Sequence, residues 1–144
     1  MNDFYLFKGG KMELKETGRI HSPYETVKEA PRQGKLSDKF CEIEIFPAYE
    51  AALLHVEEGR YYVVLYFAHK ADHTALQTVP PWAKEPYGVF ASRSPHRPNP
   101  INLCVVKLVR REKNRLFVIG LDAVDGSSLI DIKPYVKELD EAEA

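Results

Sequence analysis

No stretch of the 144-residue sequence stays apolar long enough to cross a bilayer: the longest such run, Tyr61 to Ala68, falls well short of the roughly 20 residues a membrane helix needs. The first residues, Met1-Asn2-Asp3, lack the basic-then-apolar order of a secretory leader, so a cytoplasmic protein without membrane partners is expected. An excess of charge of one sign is missing too. With 20 Lys+Arg against 21 Asp+Glu the net charge is -1, which argues against broad polyanion binding and confines any nucleic-acid contact to a local patch. Cysteine is scarce: Cys41 and Cys104 both fall in strand-like segments and read as buried free thiols rather than a bridge. No G-x-G-x-x-G follows a strand, and G-x-x-x-x-G-K-[ST], H-E-x-x-H and paired C-x-x-C are absent, so the common nucleotide loops and zinc sites are excluded. Neither a G-x-S-x-G elbow nor a Cys beside a His suggests acyl transfer. The five histidines are scattered; His69 and His73 are four apart, but the strand expected there ends too soon for helical metal spacing, and no metal site is expected.

What remains is 44% hydrophobic and 28% charged, the balance of one domain with a real core. Met1 to Gly10 has the look of an apolar arm, giving an expected division into an arm (1–11), a barrel domain (12–136) and an acidic tail (137–144). Glu13 to Ile20 reads as extended, and Glu25 to Asp38, with Pro31 and Gly34, as a long surface loop. Cys41 to Ile45 alternates with a period of two. Pro47 opens a short helix that ends before Gly59. Tyr61 to Ala68, β-branched and aromatic, predicts a strand buried on both faces. Leu103 to Val109 and Arg115 to Val124 predict a hairpin about the charged turn Arg110 to Asn114, and Ser128 to Ile132 a last strand. The fold class is mainly β, a single antiparallel β-barrel or strongly curled sheet with one short helix.

Chemistry concentrates in Gly88 to Ile101, where Pro95, Pro98 and Pro100 hold Ser94, Arg97 and Asn99 extended. A stiff loop lowers the entropy cost of presenting Arg93, His96, Arg97 and Asn99, donors suited to carboxylate, phosphate or a purine edge. The bland alternative is a rigid crossover with solvated arginines. Pro31-Arg32-Gln33 adds a guanidinium and an amide, Asp122 and Asp125 two acids near a strand end, and Asp131-Ile132-Lys133-Pro134-Tyr135 an acid, an amine and a phenol. Taken blandly, these last are a turn and a rim ion pair.

Together with Ile20-His21-Ser22-Pro23-Tyr24, these motifs closely resemble the TrmO-like family, also called YaeB- or TsaA-like, from about residue 12 to 136 and in the family's order. The resemblance implies a single-sheeted barrel, a homodimer, and S-adenosyl-L-methionine-dependent methylation of N6 of threonylcarbamoyladenosine beside the anticodon of a tRNA. It places Pro31, Arg32, Gln33, His69, Lys70, Arg93, Leu103, Asp122, Ala123, Val124 and Asp125 around the methyl donor. Arg97, Asn99 and Lys133 fall to the substrate, with Asp131 and then Tyr135 as candidates to take the N6 proton. Asn102 and Cys104 stand where the family usually has Gly and Ser. Bacterial members also carry a small C-terminal domain, for which no match is expected within these residues.

The reaction so implied is direct in-line transfer of methyl from a sulfonium to nitrogen, a charge-annihilating step in which alignment and a dry site outweigh nucleophile strength. Two alternatives stand beside it: a non-catalytic barrel that binds RNA or a nucleotide, and a methyltransferase on another acceptor.

Overall fold

The computed structural model describes residues 12–143, so the apolar arm expected at the start lies outside the described residues. Six strands close into one antiparallel barrel: β1 (Gly18–His21), β2 (Phe40–Ile45), β3 (Tyr61–Phe67), β6 (Ile101–Glu112), β7 (Arg115–Ile119) and β8 (Ser128–Pro134), in the order β1-β2-β7-β6-β3-β8. A separate ribbon, β4 (Gln77–Thr78) with β5 (Tyr87–Gly88), stands in the connection from β3 to β6. Among the described residues no helix is long and apolar enough to cross a membrane.

Alternation sorts the side chains. Ile43, Val64, Val106, Leu108, Val118 and Leu129 point inward and are fully buried, each separated from the next inward residue by an outward one. Here β3 corrects the expectation of a strand buried on both faces: Tyr62, Val64 and Tyr66 fill the barrel, while Val63, Leu65 and Phe67 form part of the outer wall and Tyr61 is exposed. Its unbroken apolar sequence arises because the outer wall is apolar as well. Register slips between Leu65 and Tyr66 against β8, and between Leu108 and Arg110 against β7, are bulges that add curvature where six short strands must meet.

Other elements also differ from expectation. The helix after Pro47 is a 3-10 helix, Pro47–Leu53, in which only Leu53 is buried, so there is no apolar stripe of period 3.6 to hold an α-helix. The acidic tail instead begins with an α-helical turn, Lys137–Asp140, alone of its kind among the described residues, where the Val136 N–H donates to the Asp140 carboxylate at 2.7 Å. The hairpin turn is only Lys113-Asn114, with Lys113 at φ 55°, so β6 runs on to Glu112. In compensation β7 stops at Ile119, because Gly120 (φ 107°) bends the chain out of the sheet and frees Asp122 to Val124 as loop.

That bend seats the long loop before β2. Gly34 starts a 3-10 turn, Gly34–Leu36, and packs so closely that a Cβ there would lie 1.9 Å from the Gly120 carbonyl oxygen. Backbone on backbone cannot yield, so Gly34→Ala is expected to cost roughly 1–3 kcal/mol in urea unfolding. Gly88→Ala, with nothing within 4 Å of its Cβ, should stay within about 0.5 kcal/mol of the parent.

Candidate active site

Where β3 ends and β6 begins, the barrel mouth opens into a cavity of about 710 Å³, inside the roughly 300–1,000 Å³ usual for small-molecule sites. Four segments converge on it. The loop seated by Gly34 brings Pro31, Arg32 and Gln33; the end of β3 brings His69 and Lys70; the proline-rich segment brings Arg93 and Arg97; the loop after Gly120 brings Asp122 and Val124, with Leu103 of β6 beside them. These are residues the sequence singled out from segments far apart in the chain, and the closed barrel gathers them at one end.

The rest of the candidates lie elsewhere. Ala123 is fully buried and its carbonyl accepts the Ser22 hydroxyl at 2.6 Å, while Asp125 accepts the Ser22 N–H at 2.9 Å and donates its own N–H to the Tyr24 carbonyl at 2.6 Å. Both therefore brace the Ser22 to Tyr24 turn. Asn99 occupies a tight turn in which its carbonyl accepts the Ile101 N–H at 2.7 Å. Asp131 and Lys133 pair at 3.0 Å on the outer wall, opposite Leu65 and Val63, and Tyr135 donates its N–H to the Tyr61 carbonyl. None of these lines the cavity.

Arg97 serves the loop that carries it. Its Nε donates to the Ser94 carbonyl at 2.8 Å, and its Nη2 to those of Val89 (2.7 Å) and Ser92 (2.6 Å). The Arg97 N–H reaches the Asp72 carbonyl, and the Asp72 N–H donates to His96 Nδ1 at 3.0 Å. The three prolines thus stiffen a loop that one guanidinium also ties from inside, and Arg97 is less freely presented than the sequence implied.

Beneath lies a polar group that sequence reasoning missed. Asp122 Oδ1 accepts the Tyr66 hydroxyl at 2.5 Å and the Cys104 thiol at 3.0 Å, and Asn102 Nδ2 donates to the Tyr66 oxygen at 3.0 Å. Burial first, then the Asp122 charge, pushes both the Tyr66 phenol and the Cys104 thiol far above their ordinary ranges. Both stay protonated and serve as donors that fix the position of the carboxylate. The signal was present: Tyr66 pairs with Asn102 and Val64 with Cys104, so one inward face turns polar just where β3 meets β6. At the rim, burial and then the neighbouring Lys70 charge hold His69 below the usual imidazole range, which keeps it neutral near pH 7. The Ser92 hydroxyl oxygen is buried in the cavity wall with no partner among the described residues.

A family model described as the tRNA-methyltransferase O N-terminal domain matches residues 19–141. The chain belongs to the TrmO family. Among TrmO relatives, an S-adenosyl-L-methionine-binding protein of Archaeoglobus fulgidus is 50% identical over 129 residues, covering 90% of this chain and 93% of that protein. The human tRNA (adenine(37)-N6)-methyltransferase is 32% identical over 91% of this chain, which spans only 32% of the human protein. A crystal structure of TrmO from Pseudomonas aeruginosa superposes with a TM-score of 0.77 at 31% identity, covering 96% of this chain and 62% of that one. The six-stranded barrel is thus the part this chain shares with longer TrmO proteins.

Cys41 is nearly inaccessible inside the barrel, and burial, followed by the Asp122 and Asp125 charges, pushes its thiol up to about 12. With Cys104 raised further, neither thiolate forms at pH 8. Ellman's reagent should therefore titrate almost no thiol in the native protein and both in urea; rapid native labelling would contradict the burial of the Asp122 network.

Proposed function

We propose that this chain is an S-adenosyl-L-methionine-dependent methyltransferase acting on N6 of threonylcarbamoyladenosine beside the tRNA anticodon, and that the cavity at the barrel mouth holds the methyl donor. The observation that carries this reading is the donor set there. One carboxylate, Asp122, is fixed by a phenol and a thiol beneath a rim bearing Arg32, Lys70 and Arg93, with apolar cover from Leu103 and Val124. That combination suits a ligand with a cationic amino group, sugar hydroxyls, a carboxylate and a flat ring. Asp122 would hold the amine or the hydroxyls, Arg93 the carboxylate, and Leu103 the ring; the Ser92 hydroxyl, without a partner among the described residues, is a further group for such a ligand to satisfy.

When bound, S-adenosyl-L-methionine supplies an electrophilic methyl on a sulfonium. The chain's own residues align and exclude water. The loop seated by Gly34 and the loop braced by Arg97 arrive as rigid pieces, and the neutral His69 adds no competing cation. Transfer to an N6 whose lone pair is delocalised calls for a group that takes its proton, and Asp131 and Tyr135 keep that assignment here only as residues brought to the site by a second copy.

The outer wall supports such a copy. Ile101, Leu103 and Val105 of β6 are 37–45% exposed in one stripe that ends at Lys107, bordered on β3 by their register partners Phe67, Leu65 and Val63. Ile101 and Leu103 also line the cavity, and Asp131 and Lys133 flank the same wall through their pairing with Leu65 and Val63. In this reading the protein is a cytoplasmic homodimer whose two walls face each other, with the cavity of each copy at the edge of the contact.

Addition of S-adenosyl-L-methionine at about a hundred times its Kd should stabilise the fold by roughly 2.7 kcal/mol, and Asp122→Asn should abolish the shift. Mass analysis of nucleosides from threonylcarbamoyl-modified tRNA should show one added methyl; donor binding without it would point to another acceptor, and tRNA binding without a donor shift to a non-catalytic barrel. Separately, Val105→Lys should convert a dimer to a monomer in sedimentation with unchanged circular dichroism and lose methyl transfer while keeping the donor shift.

A further inference from the structure

The connection from β3 to β6 carries apolar side chains that the barrel does not use. Trp82 is 65% exposed and Phe90 95% exposed, and Leu76 and Val79 lie open on the same segment. These residues stand on fixed supports. Trp82 follows Pro80-Pro81 in a turn closed by the Ala83 N–H to the Pro80 carbonyl, and its ring meets Tyr87 edge-on at 4.7 Å. Phe90 follows Val89, the buried residue of this short turn; the Val89 N–H donates to the Leu76 carbonyl, and the Val89 carbonyl accepts from Arg97. Two aromatic rings are therefore displayed to solvent on a tethered flap, at little further ordering cost on binding.

Charge selects the occupant. The chain as a whole is at -1, yet the cavity lining that Trp82 shares holds Arg32, Lys70, Arg93 and Arg97 against the single carboxylate of Asp122. An exposed indole beside a cluster of cations matches a flexible polyanion with flat, unpaired rings, whereas a second copy of this chain finds its matching apolar surface on the β6 wall. A stacked duplex offers the phosphates but keeps its ring faces covered.

We propose that the flap from Leu76 to Phe90 is an RNA-docking rim, on which Trp82 stacks against an unpaired base next to the target adenosine, Phe90 offers a second exposed ring, and Arg32 and Lys70 meet the adjoining phosphates, Arg93 being left to the methyl donor. The proposal rests on the tRNA methyltransferase reading and deepens it: the enzyme selects a single-stranded loop, with the target base drawn from its stack, and not a helical stem.

Trp82 is the sole tryptophan of the chain, so its emission reports this surface alone. Titration of the full chain with a hairpin RNA bearing a seven-nucleotide anticodon loop should quench Trp82 emission, and a blunt duplex of the same stem should leave it nearly unchanged. By anisotropy of labelled hairpin, Trp82→Ala should weaken binding about tenfold, Trp82→Phe should recover most of that loss, and the far-UV circular dichroism and ligand-free melting temperature should be the same in all three proteins, since the ring is 65% exposed. Hairpin binding with unaltered emission, equal quenching by duplex, unchanged affinity of Trp82→Ala, or a blue-shifted emission in RNA-free protein that marks the ring as already covered would each overturn the docking rim. If methylation of tRNA persists in any of those cases, the enzyme reading survives; if the parent chain neither binds the hairpin nor methylates tRNA, that reading falls and takes the rim with it.

Discussion

The structure depends on closing the barrel through its shortest strand. β1 has four residues and must pair with β2 on one side and β8 on the other, where only Gly18 with Leu129 and Arg19 with Ser128 are in register. Gly18 makes this possible: a Cβ there would lie 2.3 Å from the Glu44 carbonyl oxygen. Around it the seam is sealed by the Thr17 hydroxyl on the carbonyls of Leu129 and Ile130 (3.3 Å each) and by the Ser128 hydroxyl on Glu16 at 2.6 Å, which also holds the Glu16 carboxyl below its usual range. Only a closed sheet has an inside and an outside, and only then does the alternation of each strand acquire a meaning.

From closure follows the site. Once β3, β6 and β8 are neighbours, their ends at one mouth are fixed, and every loop that leaves that mouth is obliged to cross it. The carboxylate of Asp122 is then placed by Gly120, which turns the chain inward, and by Tyr66 and Cys104, which rise from two adjacent strands to meet it. A cavity of this kind needs no glycine-rich phosphate loop and no parallel sheet. Its ligand groups come from loops, and the barrel contributes rigidity and a floor.

How much of this could be read from residues alone varies with the range of the interaction. Period-two alternation from Cys41 to Ile45 is a local property and predicted β2 almost residue for residue, as the proline spacing from 95 to 100 predicted a stiff loop. The convergence of Arg32, His69, Arg93 and Asp122 came through the family resemblance and not through any spacing. Failures cluster where two surfaces compete. The apolar outward residues of β3 masked its alternation, and Gly120 looked like an ordinary strand residue because its positive φ is dictated by a neighbour in space. Tyr66 was hidden for the same reason: a tyrosine in an apolar run reads as core until its partner, Asp122, arrives from fifty-six positions away.

The tie made by Arg97 has a consequence for how such a protein diversifies. Because one side chain holds three carbonyls of the segment from Val89 to Ser94, the path of that segment depends little on the exposed residues it displays. Those residues are free to drift. Side chains along this edge can thus be exchanged without shifting the segment that carries them, so the shape of the cavity wall and the chemistry it displays vary independently.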